Sequence, residues 1–121
     1  MWLPFWRRSE LNAASFIRSK GYRLVASGYR VKEGEVDLIA WDGDILVFIE
    51  VKSRNTGDPP EDAVGFTKRA RIVRAAHAYI ARYKLQDKTY RFDIVTVNQN
   101  GGESSAYRLL RDAFRPNATA Y

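Results

Sequence analysis

Two β-rich runs, Glu35–Trp41 and Ile45–Ser53, meet at Asp42-Gly43-Asp44, and this arrangement constrains the fold more than anything else in the chain. Asp-Gly between such runs is a strong short-range hairpin signal. With Asp42-Gly43 as a two-residue turn, Asp37 faces Phe48, Glu35 faces Glu50 and Ile39 faces Leu46. Opposed residues share a face and alternate along each strand, so Glu35, Asp37, Phe48, Glu50 and Lys52 emerge on one side. In this register Asp37 and Glu50 are diagonal neighbours at about 7 to 8 Å, a span that inward-reaching side chains can close around one hard cation. The other side reads Val36, Leu38, Ala40, Ile45, Val47, Ile49 and Val51, which is apolar throughout and needs a covering helix. Near the turn the charged side also becomes apolar, through Ile39, Trp41, Leu46 and Phe48, so it too is expected to be partly covered.

The remaining elements follow from periodicity and punctuation. Ser9 has the chemistry of an N-cap, Glu10–Lys20 has helix-forming composition with Ala13, Phe16, Ile17 and Lys20 on one face, and Gly21 supplies the stop. Tyr22–Ala26 reads as a strand broken at Ser27-Gly28, with Tyr29–Val31 prolonging it. Asn55–Pro60 is a loop by composition. Lys68–Lys84 places Ile72, Ala76, Tyr79, Ile80 and Tyr83 at helical spacing, with Lys68, Arg71, Arg74 and Arg82 on the other side. Tyr90–Val97 alternates as a fourth strand, Asn98–Ser104 is a turn, and Ala106–Phe114 is a short strand or helix. The order is α-β-β-β-α-β, an α/β chain with a mixed sheet flanked by helices. The 121 residues form one domain, with 1–8 as an N-terminal extension and 116–121 as a tail.

The chain has no cysteine and a single histidine, His77, so thiolate and multi-histidine metal sites are excluded and any metal must be held by oxygen. No apolar run approaches the roughly 20 residues of a membrane helix, and the opening aromatics are too short and Pro-interrupted for a signal-peptide core, which points to a cytoplasmic protein. A net charge of +6 and a pI near 9.8 suit an anionic partner. The charge is segregated. Residues 33 to 62 hold nine acids against two bases, Lys52 and Arg54, a net of −7, and the rest of the chain carries +13. Solvated faces can produce such a split. So does a protein that cuts phosphodiesters, which needs metal-holding carboxylates inside a basic surround. Two acids opposed across a hairpin repel, and Lys52 cannot balance Glu35, Asp37 and Glu50, whereas a divalent cation can. Magnesium takes oxygen ligands, commonly one or two carboxylates with waters and phosphate.

Asp37, twelve residues and then Glu50-Val51-Lys52 is similar to the PD-(D/E)xK signature of the restriction-endonuclease-like superfamily, with Val36 at the nominal proline. The longer run, Gly34-Glu35-Val36-Asp37-Leu38-Ile39-Ala40 through Leu46–Arg54, resembles the bacterial YraN family, related in fold to archaeal Holliday-junction resolvases. Gly21–Leu24, Lys68 with Ala76 and Tyr79, Arg91-Phe92-Asp93 and Ala113-Phe114 extend the resemblance over roughly residues 10 to 115. The resemblance implies a restriction-endonuclease-like core, metal binding (Mg2+ or Mn2+) by Asp37 and Glu50, and a catalytic role for Lys52. It extends a metal-linked or outer-shell role to Glu10, and it includes Glu35 without giving it a role. Resolvase-like relatives act as dimers, which raises a homodimer that the sequence itself does not show. Ser9 replaces the usual glycine before the helix-one acid, and Gly28 stands where asparagine is frequent.

Lys68, Arg71 and Arg74, with Arg54 directly after the motif, are candidates for tracking phosphates; an amphipathic helix facing water has the same pattern. His77 is expected to be partly buried and satisfied, and Asp93 to be a hydrogen-bonding support. The function these readings favour is a metal-dependent endonuclease acting on DNA, branched or damaged DNA included. The alternatives are a nucleic-acid-binding module that keeps the fold without turnover, and an adaptor in a DNA-processing complex using the N-terminal aromatics.

Overall fold

The structure, a computed structural model, describes residues 5–54, 65–98 and 106–116, with side chains for 12–53, 65–98 and 107–116. The expected loop at Asn55–Pro60, the tail beyond Pro116 and the N-terminal Met1–Pro4 lie outside the described residues, as do the side chains of Glu10 and Arg54. The elements are α1 (Phe5–Ser19), β1 (Arg23–Val31), β2 (Gly34–Asp42), β3 (Ile45–Arg54), α2 (Phe66–Arg82), β4 (Tyr90–Asn98) and β5 (Ala106–Phe114). They build the expected α/β architecture, consistent with a restriction-endonuclease-like core: a five-stranded mixed sheet in the order β1-β2-β3-β4-β5 with a helix on each face. All pairings are antiparallel except β3–β4, which is parallel and connected through α2. Among the described residues no helix is long and apolar enough to cross a membrane.

α1 starts earlier than the sequence suggests. It runs from Phe5, so Ser9 lies inside the helix and does not cap it. Phe5-Trp6-Arg7-Arg8 contains no helix breaker, and a serine inside a helix costs only tenths of a kcal/mol, about 0.5. The stop at Gly21 is as expected: its φ of +91° lets the Tyr22 N–H turn back to the Ile17 carbonyl at 3.1 Å. β1 is one continuous strand with a bulge between Leu24 and Ala26, and β5 resolves as a strand with an irregularity opposite Phe92–Ile94. β5 makes the strand count five.

The hairpin forms in a different register. Asp42 pairs with Ile45 and Leu38 with Ile49, so Gly43-Asp44 is the turn centre and every partner shifts by two residues. Gly43 has φ +60°, the left-handed conformation that tight hairpin turns demand, and its place as the first central residue moves the turn by one position. A shift of two preserves which β3 residues share a face. Leu46 and Phe48 pack under α2 with Ile72, Val73, Ala76, Phe92 and Ile94, while Val47 and Ile49 pack under α1 with Ala13, Ile17 and Val95. In β2, however, Val36 lies in the α2 cluster and Leu38 in the α1 cluster. Residues two apart should share a face, so the strand turns over at Asp37.

α2 packs mainly on β2, and Gly34 sets how close it comes. A Cβ at Gly34 would overlap the Arg71 carbonyl oxygen and sit 2.8 Å from its carbon, so only glycine fits under this turn of the helix. On the α1 face Asp93 is fully buried. Its carboxylate accepts from the Tyr22 hydroxyl (2.7 Å), from Arg91 Nε (2.8 Å) and from the Asp112 amide (2.9 Å). Arg91 also reaches Asp42 at 2.8 Å, so the buried carboxylate and its arginine tie the residue before β1 to the end of β2, to β4 and to β5. Burial and the Asp93 contact push the Tyr22 hydroxyl up to about 12.

Two stability outcomes are expected. Gly34→Ala lowers unfolding free energy by ~1–3 kcal/mol in urea denaturation, because the helix must lift off β2. Asp93→Ala costs ~3–5 kcal/mol in the same assay, since it leaves buried donors without their acceptor. A wild-type midpoint in either variant would contradict the corresponding contact.

Candidate functional site

The β2–β3 ladder ends at Leu38–Ile49, one residue short of an Asp37–Glu50 pair. There a side chain takes over from the backbone: the Val51 N–H donates to Asp37 Oδ2 at 2.8 Å. The strands therefore part at Asp37, and the carboxyl groups of Asp37 and Glu50 meet in the fork across the hairpin, hydrogen-bonded to each other. They are neighbours across the fork, where the shorter register had made them diagonal. Sequence alternation also places Glu50 on the same side as Leu46 and Phe48, the α2 face, and Lys52 follows it two residues on, beside Thr96 of β4.

Glu50 is 3% exposed. Burial is the largest influence on it, and the adjacent Asp37 adds to the effect by accepting its hydrogen bond and opposing a second negative charge; together they push the Glu50 carboxyl up to about 9. Lys68, from the first turn of α2, opposes the shift: its Nζ lies 3.5 Å from Glu50 Oε1. Burial and the adjacent Asp37 carboxyl therefore favour the protonated form of Glu50.

The sequence candidates fall into three groups. Asp37, Glu50 and Lys68 converge, and Lys52 follows Glu50 two residues along β3. Arg71 and Arg74 lie exposed further along α2. Glu35 does not join the carboxylates: it pairs at 2.8 Å with Arg30, its cross-strand partner on β1, and both groups face solvent. Glu10 and Arg54 have side chains outside the described residues. His77 departs from expectation, being exposed. It is rotated off the stripe formed by Ile72, Val73, Ala76 and Ile80 and touches only the edge of the apolar layer, against Tyr90. Two contacts were not readable from the sequence, the Val51 amide on Asp37 and the direct approach of Lys68 to Glu50. The first needs the strand fork and the second the packing of α2.

Among the described residues no group of three or more Asp, Glu or His could hold a metal ion. Two carboxylates suit Mg2+ or Mn2+, which keep several waters and take substrate phosphate, better than a cation that needs an all-protein cage. A buried acid held against a second acid is a fitting donor set, because a divalent ion would relieve the repulsion between them.

The pH dependence of the metal-free protein follows from Glu50. Its folded value lies above the ordinary carboxyl range, so the folded chain binds a proton that the unfolded chain releases. Stability is full below about pH 4.5 and is lost as pH rises toward about 9. In EDTA, Glu50→Gln is expected to flatten this fall and to melt several degrees above wild type at pH 8 (~1–2 kcal/mol). A wild-type profile unaffected by this substitution would mean Glu50 is ionised in the folded chain.

Comparison with known proteins places this geometry in a family. A family model described as "Uncharacterised protein family UPF0102" matches residues 9–97. A UPF0102 protein of Symbiobacterium thermophilum is 40% identical over 107 residues, spanning 87% of this chain and 91% of that protein. One of Chlorobium chlorochromatii is 42% identical over 89% of this chain and 88% of its own length. One of Solibacter usitatus is 46% identical over 84% and 79%. With the match running from α1 into β4, across the carboxylate fork, and with relatives similar over most of their length, this chain belongs to the UPF0102 family.

Proposed function

We propose that the chain is a metal-dependent endonuclease-like phosphodiesterase acting on DNA. The observation that carries this reading is buried Glu50 set against half-buried Asp37 in the strand fork, with Lys52 following on the same strand face and Lys68 reaching in from α2. Keeping a carboxyl buried against another carboxyl costs stability, and a structural role does not require it.

In this reading Asp37 and Glu50, the latter as its carboxylate, would hold Mg2+ or Mn2+, which would supply polarisation of the phosphoryl oxygen and a lowered pKa for a coordinated water. Lys52 would orient the attacking water, or offset the charge that builds on the phosphoryl oxygens as the water oxygen bonds to phosphorus, loses its proton to solvent, and the leaving oxygen departs and takes a proton from solvent. Val51 keeps Asp37 aimed into the fork through its amide. Lys68, exposed along its stem, can pass from Glu50 to a substrate phosphate, and Arg71 and Arg74 continue the basic surface along α2. The pI near 9.8 supports a polyanionic substrate.

Two outcomes are expected. Incubated with single-stranded, duplex, flap and four-way-junction DNA and Mg2+ or Mn2+, the wild-type protein cleaves at least one substrate, and Glu50→Ala and Lys52→Ala each reduce the rate by about 10²-fold or more. Well-folded wild type that binds these DNAs without cutting any would favour a binding module instead. Metal should also raise the melting temperature of wild type and not of Asp37→Asn. Because the ion displaces the Glu50 proton, its apparent affinity should climb by up to about tenfold per pH unit between pH 6 and 8.5. A pH-independent metal shift would remove Glu50 from the ligand set.

A further inference from the structure

At the other end of β3 from Glu50 lies a cavity of about 680 Å³, lined by His77, Tyr90, Phe92, Asp112, Phe114 and Arg115 among others. Its composition differs from that of the carboxylate fork. Phe92 and Phe114 stack at 5.0 Å between ring centres, and Tyr90 meets Phe92 edge-on at 5.8 Å and His77 at 6.4 Å. Phe92 and Phe114 belong to the core, but Tyr90 is 36% exposed, so an aromatic surface is open to an incoming ring. Arg115 and Asp112 sit at the mouth, joined at 2.8 Å by a solvent-exposed pair of the kind that is worth little and exchanges readily. Asp112 is held in place by the backbone. Its φ is +53°, and its amide is tied to buried Asp93.

This cavity is connected to the fork by α2. Lys68, Arg71, Arg74 and His77 are spaced by three along the helix, and each step falls back about 60° around the axis. The row therefore crosses the helix diagonally, from the flank over Glu50, across the exposed crown, to the flank that lines the cavity. All four are exposed. Along the helix they span nine residues, about 14 Å. Along β3 the cavity residue Ile45 is five residues from Glu50, about 16 Å. A stacked strand advances about 3.4 Å per phosphate, so the axial distance alone takes up about four nucleotides and the half-turn around the helix adds to them.

We propose that the cavity is a pocket for an unpaired nucleobase, belonging to a single strand that Lys68, Arg71 and Arg74 carry across α2 from the carboxylate fork. The base stacks on Tyr90. The Asp112 carboxylate, which would repel a phosphate, accepts instead from an exocyclic amine, and Arg115 with His77 holds the flanking phosphates. The inference rests on the nucleic-acid reading of the fork and narrows it. The substrate class becomes DNA with a single-stranded segment beside the reactive phosphate, such as a flap, an overhang or a frayed junction, and a continuous duplex is disfavoured because it presents no free base.

The test is binding in EDTA, so that it reads no cleavage. Fluorescence anisotropy of the full chain is measured on a single-stranded oligonucleotide joined to a duplex, in which one abasic nucleotide is moved stepwise along the strand. One position, about four or more nucleotides from the position most sensitive to Lys68→Ala, is expected to lose roughly tenfold in affinity when its base is missing, with its neighbours unaffected. Tyr90→Ala abolishes that positional effect and Tyr90→Phe keeps it. Arg71→Ala weakens all oligonucleotides alike and lowers the salt slope by about one. A flat abasic scan on wild-type protein overturns the pocket, whatever the variants do, and so does a scan that Tyr90→Ala leaves unchanged. The two readings fail separately. Cleavage with a flat scan removes the pocket and keeps the nuclease, whereas a position-dependent scan without cleavage under any metal keeps the pocket and removes the chemistry.

Discussion

The hydrogen bond from the Val51 amide to the Asp37 carboxylate is the interaction on which the site depends. In an uninterrupted ladder this amide would be a candidate for a backbone carbonyl, and the strands would stay parallel-edged to their ends. By accepting it, Asp37 satisfies a donor that burial would otherwise strand and lets β2 turn over. The fork that results sets half-buried Asp37 against buried Glu50, and burial first, with the adjacent Asp37 second, raises the Glu50 carboxyl. One side chain therefore terminates the pairing and takes part in the chemistry.

Packing on the two faces divides the labour. On the α1 face the buried polar group is Asp93, and each of its oxygens meets a donor from a different element, so the charge is neutralised and the sheet is locked. On the α2 face the buried polar group is Glu50, whose partners are another acid and a lysine at 3.5 Å. The first carboxylate is fully provided for; the second is not. That contrast, between two acids on adjacent paired strands that face opposite helices, separates support from function on physical grounds. Gly34 connects the two themes, because its missing side chain lets α2 sit low enough on β2 for Lys68 to reach the fork.

Much of this was legible from local pattern. Alternation in Ile45–Lys52 placed Glu50 and Lys52 on one face, and apolar spacing in Ile72–Ile80 identified the helix that covers it, because strand and helix periods are properties of the chain itself. Asp93 was readable as a support from its place between Phe92 and Ile94. The errors arose where one residue decides between near-equal local options. Gly43 as first or second turn residue changes the register by two, and the composition of Ala106–Phe114 suits a strand or a helix until β4 offers an edge. His77 was misjudged because it lies at the margin of an apolar stripe, where a small rotation of the helix separates burial from exposure.

By itself the sequence determined the hairpin, the β3 face that Glu50 shares with Lys52 and the oxygen-only character of any metal site. These follow from covalent spacing, turn chemistry and composition, which act over a few residues. Tertiary structure alone decided that Asp37 would leave the ladder, that Lys68 and not Glu35 would stand beside Glu50, and that Tyr22, Arg91 and Asp112 would converge on Asp93. Those outcomes depend on how closely α2 approaches β2 and on which strands become neighbours. They are set by steric fit and by the desolvation of charges between segments far apart in the chain, which no local pattern encodes.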